Sequence, residues 1–269
     1  MTKRRFSWLV AVSGFVWGMV APLMAQDAMQ LVSAALRQDA RKAEAAGGSV
    51  LFQVSTLDAL LQGDYRGAFT VGQLKQRGNF GLGTYEGIDG EMIVVDGHFY
   101  HMRANGVLSE AADSEVAPFA VVTNFKSGVS VTVNQATMAQ LSTLIDSVLP
   151  SKNYFYAIRI HGTFADISTR AIPLQYLPYA PLATLTPNQI VFNYSNVEGT
   201  AVDIRSPAFV SGINQVAHHY HFVSDDHTRG GHALSFTTGP VTVEIQMLRQ
   251  FTLWMPEDTG FSTATLPYQ

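Results

Sequence analysis

Residues 80–106 read FGLGTYEGIDGEMIVVDGHFYHMRANG. Three turn dipeptides punctuate the run: Asp89-Gly90, Asp96-Gly97 and Asn105-Gly106. Each joins a short polar residue that tolerates positive φ to a glycine that takes it without steric cost, which is what a tight hairpin needs. EMIVV (91–95) and HFYHM (98–102), between the turns, carry the β-branched and aromatic residues that suit a pleated surface. The stretch therefore predicts an antiparallel meander.

Outward from the meander, strands continue to outnumber helices. LFQVSTLDALLQGDYRG (51–67) reads as a strand and then a helix that Ser55 or Thr56 caps and Gly63 ends. TVGQLKQRG (70–78) repeats that pattern between Thr70 and Gly78. In residues 135–149, Met138, Leu141, Ile145 and Val148 fall on one helical face before the break at Pro150. YFYAIRIHGTFADISTRAIP (154–173) predicts two strands joined through Gly162, and a proline-rich loop follows at 174–187. Further strands are expected in 189–206, 218–226, 232–239 and 240–255. The class is α+β: mixed sheets in two β-rich lobes, 49–152 and 153–269, with a few segregated helices.

The first 25 residues stand apart. A basic start at Lys3, Arg4 and Arg5, an apolar stretch and a small-residue exit at Ala25 form a secretory signal cleaved near Ala25, with a retained membrane anchor as the alternative, so a periplasmic or secreted location is expected. Residues 26–48 read as an exposed, Ala-rich helical leader ending at Gly47-Gly48. Removing the signal turns 17 basic residues into 14 against 21 acidic, a net charge of −7. Such a surface, without basic runs, argues against nucleic acid as a partner. No other stretch is apolar enough to cross a bilayer. Cysteine is absent, so disulfides are excluded and a metal site must use nitrogen and oxygen ligands.

Residues 218–232, HHYHFVSDDHTRGGH, hold five of the eight histidines. His219 and His221 are two apart, which on a strand places both imidazoles on one face. Gly230-Gly231 suits a turn, and a hairpin would carry His232 beside them. Three neutral imidazoles on rigid strands are the ligand set of a zinc-type site with an open position. His218 faces the other way and His227 lies in the turn, so both read as bystanders. Period-two histidines also simply face solvent or bond within a core. Cupin metalloenzymes carry a His-x-His pair too, but their third histidine lies several strands further on.

Three separated runs, GNFGLGTYEGIDGEMIVVDGHFY (78–100), HGTFADISTRAIPLQ (161–175) and RSPAF…HYHFVSDD…GGH (205–232), resemble the α-acetolactate decarboxylase family, in order from about Phe52 to Met255. The resemblance implies a metal-dependent lyase acting on a small 2-hydroxy-3-keto acid. It would turn 2-acetolactate into acetoin and CO2 through a metal-stabilised enediolate. Zn2+ or another divalent ion would be held by His219, His221 and His232. Arg170 of the TRAIP stretch and Glu91 of DGEM would be catalytic, with Arg170 and Thr84 of GLGTYEG at the substrate. A homodimer is compatible with this reading. The competing class is an exported, non-catalytic metal-binding protein on the same fold.

Two departures from the family pattern stand out. Ala217-His218 replaces the Gly-Tyr that usually precedes the histidine pair. The family's C-terminal glutamate has no clear match, which leaves Glu257, Asp258 and the carboxylate of Gln269 as candidates.

Overall fold

The structure is a computed structural model describing residues 10–11, 21–45, 49–126 and 129–266. Most of the expected signal, the Gly47-Gly48 stop and the Gln269 carboxylate lie outside those residues. In chain order the elements are β1 (Val10–Ala11), α1 (Ala21–Ala45), β2 (Val50–Val54), α2 (Leu57–Leu61), β3 (Phe69–Thr70), α3 (Val71–Lys75) and β4 (Phe80–Thr84). β5 (Glu91–Val95), β6 (His98–Met102), β7 (Leu108–Glu110), β8 (Val116–Ala117), β9 (Phe119–Thr123), β10 (Val129–Asn134) and α4 (Met138–Val148) follow. The chain ends with β11 (Phe155–Ala171), α5 (Leu182–Leu185), β12 (Ile190–Arg205), β13 (Tyr220–Ser224), β14 (Gly230–Leu248), β15 (Gln250–Trp254) and α6 (Thr259–Thr263).

The expected meander forms. β4, β5, β6 and β7 lie in consecutive antiparallel order, and Val95 pairs with His98 across a two-residue turn. Asp96 and Gly97 take φ of 53° and 86° there, as a hairpin of this twist requires. Asp89-Gly90 behaves differently. It follows a 3-10 turn, Glu86–Ile88, and forms a corner with positive φ at Ile88 and Gly90.

These strands belong to a seven-stranded sheet ordered β15-β2-β9-β4-β5-β6-β7. The second sheet runs β1-β10-β14-β11-β12-β13, and β13 also pairs with the start of β14. β11, β12, β13 and β14 therefore curl into a closed ring. Between the sheets lie Leu82, Ile93, Val121, Ala157, Val202, Val223 and Leu248. On the far face of the second sheet, Ile158, Ile160, Phe164, Phe222 and Ile245 pack with Leu141 and Ile145 of α4. Strand alternation sends Met92 and Val94 to a third cluster, while Glu91, on the parity of Ile93, points between the sheets.

Several expectations need correction. Residues 155–171 are one strand, bent at Gly162 (φ 141°), with register shifts against β14 at three places. A Cβ at Gly162 would collide with the Pro240 carbonyl, so the glycine admits a neighbouring strand rather than ending its own. Residues 232–239 likewise continue into 240–248 as part of β14. The 174–187 stretch contains α5 and a short 3-10 turn. The lobes do not divide at 152/153, because β15 joins the first sheet and β10 the second. The leader is helical to Ala45 but not exposed: Val32, Leu36 and Ala40, one face at i, i+4, i+8, are buried against the second sheet.

Candidate metal centre and active site

The hairpin brings the three histidines together. His221 pairs directly with His232, and Arg170 of β11 pairs with His232 from the other side. The turn is made by residues 225–229, closed by Ser224 N–H donating to the Arg229 carbonyl at 3.0 Å. Gly230 and Gly231 lie in the strand instead. Gly231 has φ 126°, and a Cβ there would stand 2.7 Å from the Arg170 carbonyl oxygen. The glycines thus let three strands close on the site, which was the part of the turn expectation that failed.

His232 Nδ1 lies 3.2 Å from both His219 Nε2 and His221 Nε2. All three ligand atoms fall within 4.8 Å of one another, the one such group among the described residues. In a tetrahedron with zinc–nitrogen bonds of about 2.0–2.1 Å the ligand atoms stand about 3.3–3.4 Å apart. The observed spacing fits. The rings are also in the right state. Burial, reinforced by the positive charge of Arg170, pushes His219 down to about 3 and holds His221 and His232 well below the usual range. His221 Nδ1 donates to the Met92 carbonyl at 2.8 Å, leaving the Nε2 lone pair aimed inward. His219 Nδ1 is buried without a hydrogen-bond partner.

Glu91 and Arg170 share this space from opposite sheets. Arg170 Nη1 donates to Glu91 Oε1 at 2.9 Å, and Glu91 Oε2 stands 3.5 Å from His221 Nε2. The Glu91 side chain is 7% exposed. Burial pushes its carboxyl up to about 7 even though Arg170 pulls the other way. Thr84 is adjacent but otherwise committed: its hydroxyl donates to the Gly90 carbonyl at 2.7 Å, supporting the corner before Glu91. That contact gives it a structural duty which the sequence did not suggest.

The remaining histidines of the hairpin have partners elsewhere. His218 Nδ1 meets Asp203 Oδ2 at 2.7 Å and its ring stacks on Tyr220, on the face away from the triad. Asp203 also accepts from His219 N–H at 3.1 Å, so this buried acid steadies the ligand strand. Ala217, where a glycine is usual, adopts φ 61°. His227 Nε2 and Tyr100 Oη lie 3.1 Å apart, tying the hairpin tip to the first sheet. Asp226 is a turn acid, accepting from Ser224 and from the Thr228 backbone and hydroxyl. Of the candidate second carboxylates, Glu257 is exposed and Asp258 caps α6 by accepting from Phe261 N–H at 3.0 Å. Sequence reasoning missed His101, Met92 and Asp203.

The family model for alpha-acetolactate decarboxylase matches residues 51–268. An alpha-acetolactate decarboxylase from Methylococcus capsulatus is 39% identical over 217 residues, covering 80% of this chain and 84% of its own. One from Bacillus subtilis is 36% identical over 219 residues, covering 81% and 86%. The crystal structure of alpha-acetolactate decarboxylase from Bacillus subtilis strain 168 matches with a TM-score of 0.80 at 35% identity, over 81% of this chain and 94% of that one.

Proposed function

The chain belongs to the alpha-acetolactate decarboxylase family of carboxy-lyases, and on that premise we propose that 2-acetolactate loses CO2 between Glu91, Arg170 and the three histidines. The observation that carries this reading is the Glu91 carboxylate bridging Arg170 at 2.9 Å and His221 at 3.5 Å beside the histidine triad. Arg170 offers its fork to the substrate carboxylate, a planar group that a guanidinium matches at two points. That grip holds the scissile carbon–carbon bond in one orientation. As the bond breaks, its electron pair passes into the neighbouring ketone and leaves an enediolate. Zinc or another divalent ion held by His219, His221 and His232 would supply Lewis-acid stabilisation of that negative charge.

Glu91 completes the reaction by delivering a proton to the carbon that lost CO2, which yields acetoin. Solvent restores the proton. Burial favours the protonated form of Glu91, which is the form a donor needs. When the substrate carboxylate engages Arg170, Glu91 loses the positive charge that favoured its ionised form, so binding itself readies the donor. Delivery from one side sets the handedness of the product. The residue 1–25 pattern supports an exported enzyme. The test is acetoin formation by purified protein with and without chelator, beside Glu91→Gln. Loss of turnover in the variant at unchanged metal content is expected. Full turnover in Glu91→Gln removes it from the mechanism.

A further inference from the structure

Glu91 acts where its backbone puts it, and three carbonyls bracket that backbone. Gly90 O accepts from Thr84 at 2.7 Å, Met92 O from His221 at 2.8 Å, and Asp89 O from His101 Nε2 at 2.6 Å. Of the three donors, His101 has no part in the site itself. It lies on β6, 2% exposed, its ring stacked on Tyr85 with centroids 3.8 Å apart and planes at 19°. Its Nδ1 meets Glu115 Oε2 at 2.7 Å. Glu115 is itself fixed by Ala112 N–H at 2.8 Å and by Arg103 at 3.4 Å.

The two contacts decide where a hydrogen must be. A carbonyl oxygen only accepts, so Nε2 carries an N–H, and Nδ1 faces the Glu115 carboxylate. Burial, helped by the nearby Arg103 charge, lowers the pKa of the ring against the pull of Glu115 and Asp89. The corner needs such restraint. Ile88 has φ 52°, a conformation that a β-branched residue adopts only under constraint, and Gly90 follows with φ 68°. Gly90 N–H donates to the Ile172 carbonyl at 3.0 Å, two residues beyond Arg170, so the corner also sets the spacing of Glu91 from its partner.

We propose that His101 is a positioning residue for the decarboxylation: its Nε2–H, given to the Asp89 carbonyl, fixes the corner from which Glu91 reaches the histidine triad. This rests on the reading of Glu91 as proton donor. His101→Gln and His101→Asn separate the two ends of the ring. The glutamine amide reaches the place of Nε2 and can still donate to Asp89. The asparagine amide reaches only the place of Nδ1, keeping Glu115 and losing Asp89. Both variants lose the stacking on Tyr85, so their difference weighs the Asp89 contact against the Glu115 contact.

The panel measures kcat, KM, the enantiomeric purity of acetoin, thermal midpoint, and hydrogen exchange in a peptide spanning 86–95. Relative to His101→Gln, His101→Asn is expected to lower kcat by about 10–100-fold, the scale of a misplaced catalytic group. KM stays within about twofold, enantiomeric purity falls, and exchange in the peptide quickens at an equal thermal midpoint. Equal kcat, equal purity and equal exchange in the two variants overturn the proposal, as does a loss that merely follows the midpoint. If neither variant folds, Glu115→Ala, which removes the partly exposed anchor of the ring, must quicken the same exchange and lower kcat; no change refutes the clamp. Glu91→Gln runs beside them. Full turnover there sinks the proton-donor reading, while the exchange comparison, which needs no turnover, still tests His101.

Discussion

Glu91→Gln, compared with the wild type after removal of metal, isolates the cost of burying this carboxylate. In the folded protein its pKa is about 7, against an ordinary value of 4.5. Between those values the folded state binds more protons than the unfolded chain, so stability falls as pH rises. The contribution is fully present below pH 4.5 and lost above about 7. At about 1.4 kcal/mol for each pH interval of one, the span amounts to about 3 kcal/mol. Glutamine does not titrate, and the histidine titrations common to both proteins cancel in the difference. Urea unfolding of chelator-treated samples at several values from pH 4.5 to 8 measures it. The wild type should lose about 3 kcal/mol relative to the variant across that range. A difference that stays flat, or that favours the wild type as pH rises, would mean that Arg170 outweighs burial and that Glu91 is an ordinary ionised acid.

Arg170→Lys should reduce kcat/KM by at least about tenfold, since an ammonium offers a point charge in place of a fork; steady-state kinetics showing no loss would dismiss the carboxylate grip. One zinc per chain is expected by elemental analysis, and His232→Ala should lose most of it, because Nδ1 is the atom shared by both 3.2 Å contacts. Phe164→Ala should cost about 3–5 kcal/mol in urea unfolding, as its buried ring packs edge-on against Phe222 and Phe236. Amino-terminal sequencing of exported protein should begin at or near Gln26; an intact Met1 in membranes would favour an anchor.

The meander and the capped helices were readable because their signals are local. Asp96-Gly97 dictates a turn whatever surrounds it, and Thr70 and Gln73 form a capping box within four residues. The His-x-His pair was readable for the same reason, as strand parity alone puts both rings on one face. What failed depended on distant neighbours. Gly162, Gly230 and Gly231 look like turn residues in sequence, yet each is small because another strand passes close by. No local signal says which strands will pass. The pairing of Glu91 with Arg170 joins residues on separate sheets, so it followed from family resemblance and not from spacing. His101 escaped notice because a histidine in a β run looks the same whether it faces solvent or closes a corner.

The parallel pairing of β15 with β2 places Val50 beside Gln250. A ribosome making this chain has released the whole meander and β9, one neighbour of β2, long before the other neighbour, β15, exists. Until residues 250–254 emerge, β2 presents Leu51, Phe52 and Val54 on a strand with one side open, a surface prone to pairing with other chains. Contacts of such sequence separation also form slowly, since a long loop must close before they contribute. Chaperone demand should therefore peak late in synthesis, and chains truncated before β15 should aggregate even though every histidine, Glu91 and Arg170 have already been made.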